Sequence, residues 1–345
     1  MLVYAVFLII KWILVMFDSK VFRIWFVAAL AVWFVLFNQF NQLSFLIEHW
    51  YYPAIMVAGA FVAGVTPEGG GAVAFPVLNI FLNIDRTMAR DFSLMIQSIG
   101  MTSASIFILS HKANSLKTYK PLLVFIPVAF IGFVLGMQLL QQLPVYIMQA
   151  LFLSLITSFA VVYSFGKHRG SKATLELNKP MDFVLLLLML VAGGMCASLF
   201  GTGADIILYT LLVTRFRMQE KIATHMSIML MAAISVLGYA YRHFVDQGLT
   251  GYQVQTWLCA YPVVLLMAPL GAYVLHSINK EIMLYAIAVL NVAQLLYFLC
   301  YNPSVDKLIW ASVFTLVLST GFYLLIRSLS RKVVSAGQSQ LAVSH

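Results

Sequence analysis

Two short polar clusters interrupt long apolar runs, and each holds one carboxylate among glycines. They are Thr66-Pro67-Glu68-Gly69-Gly70-Gly71 and Gly201-Thr202-Gly203-Ala204-Asp205. A carboxylate inside an apolar segment is costly, and chains that keep one use it to bind or relay protons and ions. Glycines at a helix break do a different job. They strip side chains from N–H groups that have no helical partner, so that an anion can reach them. A half-helix that begins at the break adds its positive dipole end. Each feature also has a plainer reading. Small residues let helices pack closely, and an acidic residue near a helix start can cap the first turn. For Glu68 and Asp205 the sequence leaves both readings open.

The elements around the clusters belong in a membrane. Of 345 residues 62% are hydrophobic and 10% charged, with mean hydropathy +0.93. Soluble domains are nearer half apolar and a quarter charged, so this chain lacks the polar side chains to cover a water-facing surface. The net charge of +9 sits in short loops, where it sets membrane orientation, so nucleic acid is not an expected partner. Cys196, Cys259 and Cys300 stand apart inside apolar segments, with no zinc or disulfide spacing. No removable leader is expected, because no small-residue cleavage site follows the first apolar run.

A span needs about 20 apolar residues. Segments 21–40, 91–110, 121–142, 145–165, 221–241, 254–275, 282–300 and 308–327 qualify, and 1–17 is a shorter candidate. Segments 52–83 and 182–214 are apolar but broken by the two clusters. They also repeat each other. Residues 57–98 lie without gaps on 191–232, with identities at Val57, Ala58, Gly59, Ala63, Gly69, Leu78, Ala89, Ser93 and Met95. The breaks coincide, which points to an internal duplication. Asp91 falls on His225 and Ser93 on Ser227. Asp91 and His225 are candidates for proton coupling, with pairing to Arg90 or Arg86, or a hydrogen-bonded helix histidine, as the plainer readings. Ser93, Ser227 and Gln97 are weaker candidates as ligand donors. Arg242-His243 reads as an interface anchor.

Charge orients the spans. Lys112, Lys117 and Lys120, then Lys167, Arg169, Lys172 and Lys179, place the loops at 111–120 and 166–180 inside; Arg215, Arg217 and Lys221 favour the same side. The assignment is self-consistent if each broken segment is a re-entrant hairpin and the repeats are inverted, with the C-terminus cytoplasmic. The expected fold is an all-α polytopic bundle of about eight or nine spans, by the 20-residue span length. Its parts would be extra helices at 1–45, a first repeat at 46–166, a cytoplasmic linker at 167–180, a second repeat at 181–301, a final helix at 302–330 and a polar, disordered tail at 331–345.

At the breaks the sequence resembles the sulfite exporter TauE/SafE family of membrane transporters. That family carries a glycine-rich signature once in each half, followed by apolar residues and a proline. Here it reads Pro67-Glu68-Gly69-Gly70-Gly71-Ala72-Val73-Ala74-Phe75-Pro76 and Gly201-Thr202-Gly203-Ala204-Asp205. A following Ala and Ser-Leu pattern is matched by Ala89 with Ser93-Leu94 and by Ala223 with Ser227-Ile228. Pro67, Glu68, Asp205, Asp91 and His225 depart from the family's usual residues. The resemblance implies a transporter for small sulfur-containing or organic anions. The two breaks and the hydroxyls near them give the candidate substrate contacts: Thr66, Glu68, Gly69, Gly70, Gly71, Ser93, Gly201, Thr202, Gly203 and Ser227. Proton coupling would rest on Glu68, Asp205, Asp91 or His225. No Walker, HExxH or GxSxG motif is present, so neither ATP drive nor enzyme chemistry is expected, and no cofactor or metal. The competing expectation is a cation or metal carrier built on the same carboxylates; an intramembrane enzyme is weaker. Expected partners are the anion and the lipid bilayer, with homodimer formation left open.

Overall fold

The computed structural model describes residues 18–110, 116–164, 172–177, 180–275 and 280–343, with side chains described outside 280–284 and 325–343. The candidate span at 1–17 lies outside the described residues. In chain order the helices are α1 (Lys20–Phe40), α2 (Leu43–Glu48), α3 (Tyr51–Val65), α4 (Gly71–Pro76), α5 (Arg86–Ser110), α6 (Leu122–Leu139), α7 (Val145–Ser164), α8 (Pro180–Phe200), α9 (Ala204–Thr214), α10 (Glu220–Ala240), α11 (Gly251–Val274), α12 (Lys280–Cys300) and α13 (Val305–Val343). A π-turn extends α4 over Val77–Phe81 and another extends α10 over Tyr241–Val245.

Among the described residues eight helices are long and apolar enough to cross a membrane: α1, α5, α6, α7, α8, α10, α11 and α13. Val21, Ile24 and Val27 on α1, and Leu316 and Val317 on α13, are more than half exposed, as side chains facing lipid are. The protein is a polytopic all-α membrane bundle. The last helix differs from expectation. It runs on to Val343 through the segment read as a disordered tail, where Ser, Arg, Lys, Ala and Gln are interrupted by no proline.

At both clusters the chain doubles back. A β-carbon built on Gly70 would lie 3.4 Å from the Gly59 carbonyl and 3.6 Å from Ala63 Cβ, so residue 70 has returned alongside the middle of α3. One built on Gly193 would lie 3.1 Å from Ala204 Cα, the same return against α8. The two hairpins differ in length. At 15 residues α3 is too short for a full crossing, whereas α8 has 21, more than the short arm expected before the second break.

The duplication extends to whole elements. Shifted by 134 residues, the separation that also divides Glu68 from Thr202, α3 falls within α8, α4 within α9, α5 on α10 with its π-turn, α6 within α11, and α7 on α12. The packing obeys the same exchange: α3 lies on α11, α6 lies on α8, and the equivalent helices α5 and α10 lie on each other. Asp91 near the start of α5 reaches Arg242 just past the end of α10, so this pair runs antiparallel, as inverted repeats require.

Glycines and stray carbonyls set how closely these helices meet. Gly64 and Gly271 bring α3 and α11 to backbone contact, and Gly132 and Gly194 do the same for α6 and α8. Pro262 and Pro269 cannot donate to the carbonyls of Leu258 and Leu265 one turn earlier in α11. Trp33 Nε1 on α1 donates to Leu258 O at 2.9 Å, and Ser103 Oγ on α5 donates to Leu265 O at 3.1 Å. The proline breaks thus become docking points.

A β-carbon on Gly64 would overlap the Ala268 carbonyl, while Gly321 has nothing within 4 Å. Gly64→Leu is therefore expected to part α3 from α11, at a cost of about 1–3 kcal/mol or more, and to lower the unfolding temperature measured in detergent. Gly321→Leu on α13 is expected to leave it unchanged; equal loss in both would refute the close-packing account.

Candidate functional site

The two breaks meet at the centre of the bundle. Thr202 Oγ1 donates to the Glu68 backbone carbonyl at 3.2 Å. These residues are equivalents under the repeat, so the pseudo-two-fold axis passes between them. A second equivalent pair lies beside it, with Thr157 Oγ1 on α7 donating to Asn291 O on α12 at 3.0 Å. Thr66, Glu68, Thr202 and Asp205 are all buried, Asp205 completely.

Glycine is required at three turn positions. Gly69, Gly201 and Gly203 have φ of +71°, +74° and +113°, the left-handed region that costs other residues energy. Gly201 also presses against Ser93 and the Arg90 carbonyl, and a β-carbon on Gly71 would stand 2.7 Å from Thr202 Cβ. The bare backbone lets the two turns interlock. The amides of Gly69, Gly70 and Gly71 have no acceptor among the described residues. Ala72 N and Val73 N reach back to the carbonyls of Gly69 and Gly70, at 3.3 Å each.

The two carboxylates have different surroundings. Both Glu68 oxygens accept from one amide, Asn291 Nδ2, at 3.1 and 3.0 Å. Asp205 turns Oδ1 onto its own helix start, accepting from Gly203 N at 3.0 Å and Ile206 N at 3.1 Å. The capping reading of Asp205 is therefore realised for one oxygen. Its Oδ2 lies beside the Thr202 hydroxyl, which is turned to the Glu68 carbonyl, and neither carboxylate forms an ion pair among the described residues. Gln97 Nε2 ties the turn to α5 by donating to Gly201 O at 2.6 Å and Ser93 O at 3.1 Å. Thr66 Oγ1 donates to Val62 O and accepts from Glu68 N, shaping the first turn.

Other expected site residues lie elsewhere or face their own helix. Ser93 Oγ donates to Ala89 O and Ser227 Oγ to Thr224 O, the packing role that small hydroxyls commonly take. Asp91 stands at one end of α5. It accepts from Arg90 Nε at 2.9 Å, Arg242 Nε at 3.0 Å, Arg242 Nη2 at 2.8 Å and Gln253 Nε2 at 2.9 Å. His225 stands at the opposite end, its Nδ1 3.0 Å from Tyr119 Oη. These contacts are counterparts: Asp91–Gln253 and Tyr119–His225 exchange under the repeat. Arg242 is a correction. It is buried against Asp91 and also bonds Asp246 and the Gly248 carbonyl, so it is a lock between repeats and not an interface anchor.

Sequence reasoning missed Asn291. Its signal was one of two amides, with Gln294, among the apolar residues of 282–300. Three rings, Phe75, Phe152 and Phe200, close one side of the breaks with centroids 4.6–5.6 Å apart. The cavity beside Gly70, lined by Met56, Ala60, Ile96 and Val264, has room for about one water. The site is closed in this conformation.

A family model described as Sulfite exporter TauE/SafE matches residues 51–298. No curated protein and no solved structure matches the chain.

Asp91 is the carboxylate shared by two buried guanidinium groups; without it Arg90 keeps only the neutral Gln141 and Arg242 keeps Asp246 and the Gly248 carbonyl. Asp91→Ala is expected to cost about 3–5 kcal/mol, read as a large fall in the thermal unfolding temperature in detergent. Arg242→Ala, which leaves Asp91 paired with Arg90, is expected to cost less; the reverse ranking would count against Asp91 as the hub.

Proposed function

The chain belongs to the sulfite exporter TauE/SafE family, and from that premise we propose that it is a secondary transporter moving a small anion across the cell membrane by alternating access. The anion is sulfite, an organosulfonate, or a related sulfur or carboxylate anion. One observation carries this reading. Two broken helices, equivalent under the repeat, bring their turns together in the middle of the bundle, where three consecutive glycine amides lack acceptors among the described residues. Backbone N–H groups at the start of a discontinuous helix are well suited to hold an anionic headgroup.

The carboxylates limit when that site can fill. An anion beside a charged Glu68 and a charged Asp205 is repelled, with little solvent to screen it. We place proton coupling on Glu68. Asn291 holds both of its oxygens through one donor, and among the described residues no cation pairs with it. A protonated Glu68 admits the anion, and a charged one expels it. Asp91 is committed to Arg90 and Arg242, and His225 is buried against Tyr119.

Alternating access has a built-in pair of ends. Asp91, Arg90, Arg242 and Gln253 tie one end of the α5–α10 pair, and Tyr119 and His225 tie the other. In this reading each set opens in turn while the breaks stay central. The basic residues Lys117, Lys120, Lys172, Arg215 and Arg217 favour the Tyr119 end as cytoplasmic, and with it the C-terminus.

Flux of labelled sulfite and of an organosulfonate into proteoliposomes tests the reading. Transport is expected to respond to an imposed pH gradient, and Glu68→Gln is expected to remove that response. Gly71→Val, which drives a side chain into Thr202, is expected to lower flux more than about tenfold, the equivalent of 1.4 kcal/mol. Flux indifferent to the gradient in the natural chain would sink the coupling. Flux unchanged in Gly71→Val would sink the backbone site.

A further inference from the structure

We infer that Asp205 holds a proton on Oδ2 and donates it to Gln97 Oε1, a bond that joins the second repeat to the first beside Gly69. The inference deepens the transporter reading, on which its consequence for anion binding rests, and its test does not depend on transport.

The case begins with an acceptor that lacks a donor. Gln97 Oε1 is buried with no hydrogen-bond partner, and a buried acceptor in that condition calls for an explanation. Turning the Gln97 amide over does not supply one. Its Nε2 donates to the carbonyls of Gly201 and Ser93, and a flip would set oxygen against both. The donor must come from a neighbour, and the neighbours are oxygens. The position that a β-carbon of Gly69 would take lies 2.6 Å from Thr202 Oγ1 and 2.8 Å from Gln97 Oε1, and nearer still to Asp205 Oδ2. Three side-chain oxygens therefore crowd one face of Gly69, within a few ångströms of one another.

Oxygens packed this closely need protons between them. Thr202 Oγ1 carries one, directed to the Glu68 carbonyl at 3.2 Å. Turned to Asp205 instead, it would still leave Gln97 Oε1 bare. A proton on Asp205 Oδ2 supplies the missing donor, and a buried carboxyl without a cation takes up a proton rather than bear the charge. The two Asp205 oxygens are divided as those of an acid are. Oδ1 accepts from Gly203 N and Ile206 N, as a carbonyl oxygen can, which leaves Oδ2 as the hydroxyl. The other ionisable groups around Asp205 have partners of their own or are uncharged. Both Glu68 oxygens are on Asn291. The Arg90 guanidinium on α5 is turned to Asp91 and Gln141. Tyr209, one turn along α9, is on Tyr163, and the thiol-bearing Cys196 of α8 packs against Gly203.

Gln97 belongs to α5 of the first repeat and Asp205 to α9 of the second, so this proton is a tie between the repeats. Its loss would set a carboxylate against Gln97 Oε1 and turn the tie into a repulsion. The closed conformation is therefore the one with the proton in place. In it an anion can approach the Gly69–Gly71 amides without meeting charge at Asp205, and Glu68 is left as the carboxylate whose proton comes and goes with the anion.

The test is infrared absorption of the purified full chain in lipid nanodiscs at neutral pH, without any anion substrate. The carbonyl stretch of a protonated carboxyl lies above the amide and carboxylate bands, and isotope-labelling aspartate at its side-chain carboxyl moves the band of an aspartic acid and of no glutamic acid. A label-sensitive acid band is expected in the natural chain and is expected to vanish in Asp205→Asn, which keeps the shape and, through its amide, a donor for Gln97. In Gln97→Leu the band is expected to persist but to move to higher frequency, because the acid has lost its acceptor. Chromatographic monodispersity checks that each variant is folded. No label-sensitive acid band in the natural chain, or a band unchanged in Asp205→Asn, would overturn the proton; an unmoved band in folded Gln97→Leu would overturn its sharing. The acid band without flux of any anion would leave this proton standing and refute the transporter reading; anion flux without the band would do the opposite.

Discussion

Lipid offers no hydrogen bonds, so irregular backbone in this bundle must be buried against protein or line a cavity. That constraint explains why the two breaks meet. An isolated turn at Pro67–Gly71 would leave its amides and carbonyls facing hydrocarbon. Brought against Gly201–Asp205, the turns share the load: the Glu68 carbonyl takes the Thr202 hydroxyl, and the Gly201 carbonyl takes the Gln97 amide. The same rule operates in α11, where carbonyls freed by two prolines become the anchor points for Trp33 and Ser103. In a soluble protein water would have served these groups, and neither arrangement would have been needed.

Duplication makes the meeting possible, and departures from duplication make it functional. Equivalent residues touch on the pseudo-axis at Glu68–Thr202 and Thr157–Asn291. The partners in each pair differ in chemistry. Glu68 stands where the other repeat has Thr202, Asp205 where it has Gly71, and Asn291 where it has Thr157. A symmetric pair of carboxylates on the axis would repel at close range. One carboxylate from each repeat, each a few residues off register from the other's, lets both sit near the centre with separate partners.

Much of this was legible in the sequence, for physical reasons that also mark the limits. The spans and the two breaks follow from apolar length and from glycine, and the repeat follows from identities at Gly59, Gly69, Ser93 and their mates. The doubling back at each break was accessible because charge in the loops left few other paths. Arg242 was misread, because a basic residue past the end of a span usually faces headgroups; only the fold shows that a π-turn and the antiparallel α5 bring it to Asp91. Asn291 was invisible for another reason. Its meaning depends on Glu68, 223 residues away, and nothing local in α12 distinguishes an amide that packs from one that holds a carboxylate. The separate fates of the two Asp205 oxygens likewise depend on a loop geometry that no spacing rule encodes.

The two half-helix starts do not present the same backbone. At α9 the amides of Gly203 and Ile206 already hold an internal anion, Asp205 Oδ1. An incoming anion would have to displace a tethered carboxylate whose effective concentration is high. At α4 the amides of Gly69, Gly70 and Gly71 face no such competitor, because Glu68 turns away to Asn291. The two helix starts lie within a few ångströms, with Asp205 Oδ2 beside Gly69. A charge on that oxygen therefore acts on the Gly69–Gly71 amides directly, through space, with no conformational relay required.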